Sequence, residues 1–196
     1  MSTEMQHEDD EVMLDLETLG TSPGCLVLSI GAVFFNRKTG MLGKEFYCVI
    51  YSGNQAKKYG LIASQSTLDW WKKQSSEART VITMANRLST SDKLPIALNK
   101  FAEFMQTSKG GISNVKVWGN GADFDQPILA KCYDVAGLVK PWEFWNSRCF
   151  RTMKALLPKP VNITKRTGVY HNALDDAKTQ ALYLLEALKA SDGKLL

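Results

Sequence analysis

Three short stretches of the 196-residue chain carry side chains whose types and spacing suit chemistry. The first is Val12-Met13-Leu14-Asp15-Leu16-Glu17-Thr18. Side chains alternate between faces along a strand, so Val12, Leu14 and Leu16 share one face while Asp15 and Glu17 share the other. Two carboxylates side by side near a sheet centre repel each other and lose hydration, a cost that a divalent cation with oxygen ligands relieves. The same pattern also fits an edge strand with two surface acids. The second stretch, Trp118-Gly119-Asn120-Gly121-Ala122-Asp123-Phe124-Asp125, reads as a strand end, a glycine turn and a helix start. Asp125 there suits either a helix cap or a ligand, and Asp123 an ordinary loop acid. The third is His171-Asn172-Ala173-Leu174-Asp175-Asp176-Ala177, which opens a helix near Asn172. Five helical residues turn the chain by about 500°, which sets His171 and Asp176 about 140° apart if both are helical. They share a site only if His171 lies on the preceding loop and swings over the first turn, which Gly168-Val169-Tyr170 permits. Asp175 is expected to face solvent, complementing the helix N-terminus. A structural role for this histidine, the one outside the first ten residues, is the alternative.

The elements that must position these groups follow from hydrophobic period and turn residues. Residues 11–17 and 24–36 read as strands, joined by Gly-Thr-Ser-Pro-Gly at 20–24. A turn at 36–40 and a strand at 45–51 complete an antiparallel meander. Helices are expected at 66–73, with Ser66 or Thr67 as cap, at 94–105 and at 125–136, where Pro127 occupies the first turn. A short strand at 115–118 and helices at 147–157 and 173–190 account for the rest. A meander followed by alternating helix and strand predicts one α/β domain over 11–191 with a mixed central sheet flanked by helices, after a flexible acidic tail at 1–10.

Composition narrows the class. With 44% hydrophobic residues the chain can bury a core, and no apolar run approaches the roughly 20 residues that span a bilayer. The polar, acidic start lacks the basic and apolar regions of a secretory signal. Cys25, Cys48, Cys132 and Cys149 are scattered without a CxxC pair, so they read as reduced thiols of an intracellular, cytoplasmic protein, with no zinc site expected. Setting aside the five acids within residues 1–11 raises the formal charge from +4 to about +9, consistent with a polyanionic partner.

Taken together, Asp15-x-Glu17, Asn120-x-Ala122-x-Phe124-Asp125 and His171-x-Ala173-x-x-Asp176 resemble, in order and spacing, the histidine-bearing (DEDDh) subclass of the DEDD exonucleases. That superfamily has a ribonuclease H-like fold and includes ribonuclease T and the proofreading exonucleases of DNA polymerases. Asp15-Leu-Glu-Thr-Leu-Gly-Thr, Trp70-Trp71, Val117-Trp118-Gly119-Asn120-Gly121 and Pro141-Trp142-x-Phe-Trp145-Asn-x-Arg148 are similar to its phage and bacterial branch, with the exonuclease VIII-like proteins and the mycobacterial adenylate-preferring ribonuclease. The resemblance runs from about residue 11 to 190. The family's acid follows the phenylalanine, which selects Asp125 over Asp123.

The resemblance implies a 3′→5′ exonuclease that hydrolyses phosphodiester bonds at the 3′ end of single-stranded nucleic acid and releases nucleoside 5′-monophosphates. Asp15, Glu17 and Asp176 would hold one Mg²⁺, and Asp15 with Asp125 a second, with Mn²⁺ able to substitute. Two such ions about 3.5–4 Å apart stabilise the attacking and leaving oxygens. His171 would be the general base, since histidine in general changes charge near pH 6.5. Thr18, Leu19 and Gly20 would contact the terminal nucleotide, with Leu19 as a wedge against a base. Asn120, Trp71 and Arg148 would contact substrate further along. Trp70, Trp142 and Trp145 suit base stacking or the core, and Lys57-Lys58, Lys72-Lys73 and Lys165-Arg166 suit phosphates or plain solvated surface. DNA is expected ahead of RNA, and a homodimer is expected. Two other classes fit the residues: a silent nucleic-acid-binding module, and a proofreading subunit working with a polymerase. All five key residues are present, which argues against the first. The chain's lack of a long docking tail argues against the second.

Overall fold

The computed structural model describes residues 11–157, 166 and 168–191, so the acidic tail expected at 1–10 and Lys165 lie outside the described residues. Among these residues five strands form one sheet: β1 (Glu11–Thr18), β2 (Val27–Asn36), β3 (Met41–Val49), β4 (Lys116–Gly119) and β5 (Ser147–Cys149). Their order is β3-β2-β1-β4-β5. β1, β2 and β3 make the antiparallel meander, in which Asp15 pairs with Gly31. β4 joins β1 in parallel, with Met13 opposite Trp118, and β5 joins β4 in parallel. β1 is thus central, and its side chains are covered on both faces.

Among the described residues, seven α-helices flank the sheet: α1 (Gln55–Tyr59), α2 (Gln65–Lys72), α3 (Ser76–Ala85), α4 (Leu94–Gln106), α5 (Asp125–Ala136), α6 (Phe150–Leu156) and α7 (Ala173–Ala190). The strand alternation sorts the core. Val12, Leu14 and Leu16 pack with Leu98 and Phe101 of α4 and Leu129 of α5. Met13, Val33 and Trp118 face the other way, under Ala177, Ala181 and Leu184 of α7. The meander-plus-parallel sheet with flanking helices expected from the sequence is therefore present.

Differences have local causes. The helix expected at 147–157 begins with β5, because Ser147, Arg148 and Cys149 pair with Val117, Trp118 and Gly119 at the sheet edge. β3 starts at Met41 rather than residue 45, since its first five residues are mostly exposed and carry no apolar alternation. β2 starts at Val27, and Cys25 before it makes only an isolated bridge to Ile62. The cap of α2 is Ser64, ahead of the residues expected. α3 is an added helix: Ser75 accepts from the Ala78 N–H at 3.2 Å, and Ala78, Val81 and Ala85 form a small-residue stripe that leaves a weak sequence signal. Glu11, counted above with the acidic start, belongs to β1. It is buried, ion-paired to Arg37 at 2.6 Å and accepting from the Trp118 indole at 2.6 Å.

Candidate active site

Asp15 and Glu17 sit on the face of β1 opposite Val12, Leu14 and Leu16, as strand geometry requires. What lies over them is the start of α7. A Cβ at Gly31, the residue paired with Asp15, would stand 2.1 Å from the Ala173 carbonyl carbon, so glycine alone lets this helix end rest on the sheet. About two turns further along α7, Gln180 donates from Nε2 to Asp15 Oδ1 at 2.7 Å.

The approach to α7 turns His171 inward. Asn172 caps the helix, accepting from the Leu174 and Asp175 N–H groups at 3.1 and 3.2 Å. Immediately before it, His171 has φ +61°, a left-handed conformation uncommon for a residue with a Cβ. This kink puts the histidine on the loop and points its N–H at Asp176 Oδ2, 3.1 Å away. The 140° separation of a continuous helix is thereby avoided, as the sequence required. Asp175 does not face open solvent as expected: its Oδ2 accepts from the Val169 N–H at 2.8 Å and pins the loop that carries His171. The imidazole lies edge-to-face with Trp70, centroids 4.8 Å apart. Trp71 beside it is buried, and its Nε1 donates to the Thr18 carbonyl at 2.8 Å, fixing the end of β1.

Asp125 enters from the other side. It is the first residue of α5 rather than its cap, which is Phe124. Its Oδ1 accepts from the Leu16 N–H at 3.2 Å and its Oδ2 from the Asn120 N–H at 2.7 Å. A Cβ at Gly119 would lie 2.9 Å from the Asp125 Cβ, so this glycine is needed for the close approach.

Electrostatics follow from the crowding. Burial raises the Asp15 carboxyl well above the usual carboxylate range, and the charges of Asp125, Glu17 and Asp176 raise it further, against the Gln180 hydrogen bond. Glu17 is pushed up to about 8 by burial, then by Asp176 and Asp125, with Arg166 opposing. Asp125 is pushed to about 7 by burial, offset by its two backbone donors. Such a cluster holds its full negative charge near neutral pH only with added positive charge. Glu17, His171 and Asp176 each offer one ligand atom, all within 4.8 Å of one another. Hard carboxylate oxygens in that number, with one imidazole, fit a divalent cation.

Asp15, Glu17, Thr18, Gly20, Asn120, His171 and Asp176 line one cavity of about 650 Å³, with Trp70, Lys154 and Tyr183 on its other walls. Asp125 does not line it, but accepts from the N–H groups of Leu16 and Asn120, which do. Trp71 borders the cavity while remaining buried. Leu19, expected as a wedge, is turned into the core, its N–H bonded to the Leu26 carbonyl at 2.8 Å. Arg148 is not on the cavity: it donates to the Trp145 and Ser147 carbonyls at 2.7 and 3.0 Å. Trp142 is core and Trp145 an exposed residue away from the cavity. Gln180, Gly31 and Gly119 were missed by sequence reasoning. Gln180 had one signal, a polar residue four positions after Asp176 within the apolar face of α7.

The 3′-5′ exoribonuclease Rv2179c-like domain family matches residues 10–188. The chain belongs to that family. The exodeoxyribonuclease of Enterobacteria phage T4 is 26% identical over 213 residues, covering 93% of this chain and 91% of that protein. Among solved structures, the nuclease domain of 3′hExo, a DEDDh family member bound to rAMP, has a TM-score of 0.62 at 14% identity, covering 94% of both chains. Exonuclease I of E. coli, in complex with a dT13 oligonucleotide, has a TM-score of 0.64 at 13% identity, covering 95% of this chain and 42% of that one. The sheet and its helices are thus the ribonuclease H-like fold of DEDDh nucleases. The chain is a 3′→5′ exonuclease, a hydrolase of phosphodiester bonds. No helix among its described residues is long and apolar enough to cross a membrane.

Proposed function

We propose that this protein digests single-stranded nucleic acid from the 3′ end, DNA in preference to RNA, through two divalent cations and a histidine base. The observation that carries the reading is the convergence of Asp15, Glu17, Asp176 and His171 on one cavity, with Asp125 hydrogen-bonded to the backbone of its lining residues Leu16 and Asn120. Asp15, Glu17 and Asp176 would hold one Mg²⁺ or Mn²⁺, and Asp15 with Asp125 the second. Bound cations of this kind supply Lewis-acid stabilisation to the attacking and leaving oxygens of an in-line displacement. The Gln180 amide orients Asp15 for this role, and the Leu16 and Asn120 amides orient Asp125. His171 takes the proton of the attacking water on a ring nitrogen, its imidazole held against Trp70 at the cavity wall. Thr18 and Gly20, braced by the Trp71 indole, receive the terminal nucleotide. The product is a nucleoside 5′-monophosphate.

The 26% identity to a phage exodeoxyribonuclease over nearly the whole of both chains supports DNA. The exoribonuclease name of the family supports RNA as the competing substrate. The experiment is digestion of matched DNA and RNA oligomers, labelled at the 5′ end, with Mg²⁺, with Mn²⁺ and with EDTA. A ladder shortening from the 3′ end, faster on DNA and abolished by EDTA and by Asp15→Asn in a folded protein, is expected. Normal turnover by folded Asp15→Asn refutes the metal assignment, and faster RNA digestion reverses the sugar preference. The single domain is proposed to span 11–191 and to act in the cytoplasm as a homodimer, whose mass light scattering reads directly.

A further inference from the structure

The acid cluster contains a cation of its own. Arg166 Nη1 is ion-paired with Asp176 Oδ1, and Nη2 donates to the Val169 carbonyl at 2.7 Å. The guanidinium carbon lies 3.9 Å from the centre of the Tyr170 ring. The two paired side chains are only 16% and 17% exposed, and Arg166 lines the same cavity as Glu17 and His171. Because Asp176 Oδ2 already accepts from the His171 N–H, both oxygens of this acid are engaged. Arg166 Nε is buried with no acceptor among the described residues.

We propose that Arg166 is an internal counter-ion that a divalent cation must displace from Asp176, and that the freed guanidinium then takes a phosphate of the substrate. The inference rests on the reading of Asp176 as a metal ligand. A guanidinium and a divalent cation on one carboxylate oxygen stand only a few ångströms apart and repel, so the two compete for Asp176 Oδ1. The divalent ion carries the higher charge density and wins when present. Displacement disturbs little of the core, because Tyr170, on which Arg166 stacks, is itself exposed. An arginine fork matches phosphate oxygens, and Arg166 lines the cavity in which a strand would lie. Metal and substrate thus act in sequence on one residue: the first releases what the second uses.

The test is Mn²⁺ titration by calorimetry without nucleic acid, then oligonucleotide kinetics at saturating Mn²⁺. Arg166→Gln is expected to bind Mn²⁺ roughly three- to tenfold more tightly than the parent, the scale of one partly buried ion pair. Its KM for oligonucleotide should rise while kcat changes less. Arg166→Lys, which keeps the charge but loses the fork and the stack, should tighten Mn²⁺ binding by a smaller factor and covers the case in which the glutamine variant does not fold. Unchanged or weaker Mn²⁺ binding by Arg166→Gln, alongside loss of Mn²⁺ binding in Asp176→Asn, overturns the counter-ion and leaves the nuclease reading standing. Retention of full Mn²⁺ binding by Asp176→Asn overturns both the counter-ion and the reading of Asp176 as a metal ligand.

Discussion

Raising the pH of the metal-free protein should destabilise it, and the acid cluster sets the size of the effect. Glu17 in the folded chain titrates at about 8 against an ordinary 4.5, and Asp125 at about 7 against 3.8. Both values are raised, so the folded state binds these protons more tightly than the unfolded state. Their stabilisation is full below about pH 4, where both states are protonated, and is lost as pH climbs through 7 and 8. For Glu17 alone the gap, at 1.36 kcal/mol per pH unit, is on the order of 5 kcal/mol. The two groups do not add, because discharging one relieves the other, and one group's worth is the appropriate scale. Buried Glu11, whose carboxyl is raised mainly by burial, acts in the same direction. For a domain of this size each kcal/mol moves Tm by roughly 2–4 °C, so the fall from pH 5 to 8.5 in EDTA should be about 10 °C or more. Mg²⁺ at a hundredfold excess over its Kd should return about 2.7 kcal/mol, and chiefly at the alkaline end. Thermal melts followed by circular dichroism across this range, with EDTA and with Mg²⁺, give the answer, and Glu17→Gln should flatten the EDTA curve. A Tm in EDTA that is level or rises with pH, unaltered by Glu17→Gln, refutes the view that these carboxylates crowd one poorly hydrated pocket.

The other predictions concern what surrounds the acids. Gly31→Ala puts a methyl 2.1 Å from the Ala173 backbone, so α7 must shift; a loss of about 1–3 kcal/mol in denaturant melts and at least a tenfold fall in exonuclease rate are expected. Gln180→Leu removes the donor to Asp15 together with a buried Oε1 that has no partner among the described residues. Stability should hold to within about 1 kcal/mol while kcat drops, and an unchanged kcat would show that Asp15 needs no such support. His171→Ala should slow hydrolysis by roughly 10²-fold or more with Mn²⁺ binding retained in a direct titration, which separates a proton acceptor from a ligand.

How much of this was legible depended on the distance over which each feature is decided. The β1 alternation from Val12 to Glu17 is local, and it alone put Val12, Leu14 and Leu16 in one core and the two acids on the other face. The same holds for α7, whose cap at Asn172 and apolar stripe lie within a few turns, and for the placement of His171 on the preceding loop, which helix rotation made the condition for sharing a site with Asp176. β5 was not legible, because three residues have no period, and its strand character comes from a parallel partner some thirty positions away. Asp175 was misjudged for a related reason. The helix-terminus argument correctly made an acid favourable there, but it cannot see that the Val169 N–H needs an acceptor and takes this one.

The positions that were invisible share a property: they act by close approach between segments far apart in the chain. Gly31 and Gly119 do no chemistry, yet each is where a carboxylate-bearing helix comes within a methyl group's width of the sheet. The distance between Asp15 and Asp176 is set by how near α7 can lie to β2, and Asp125 reaches the Leu16 N–H only because nothing projects from Gly119. A sequence lists the acids without this constraint, which explains why the acids could be picked out from motifs while the residues that let them approach could not. Selection for catalysis at such a site must therefore act on residues that contribute only the absence of a side chain. Even a conservative methyl at either glycine should reduce activity more than a charge change at an exposed acid such as Asp134.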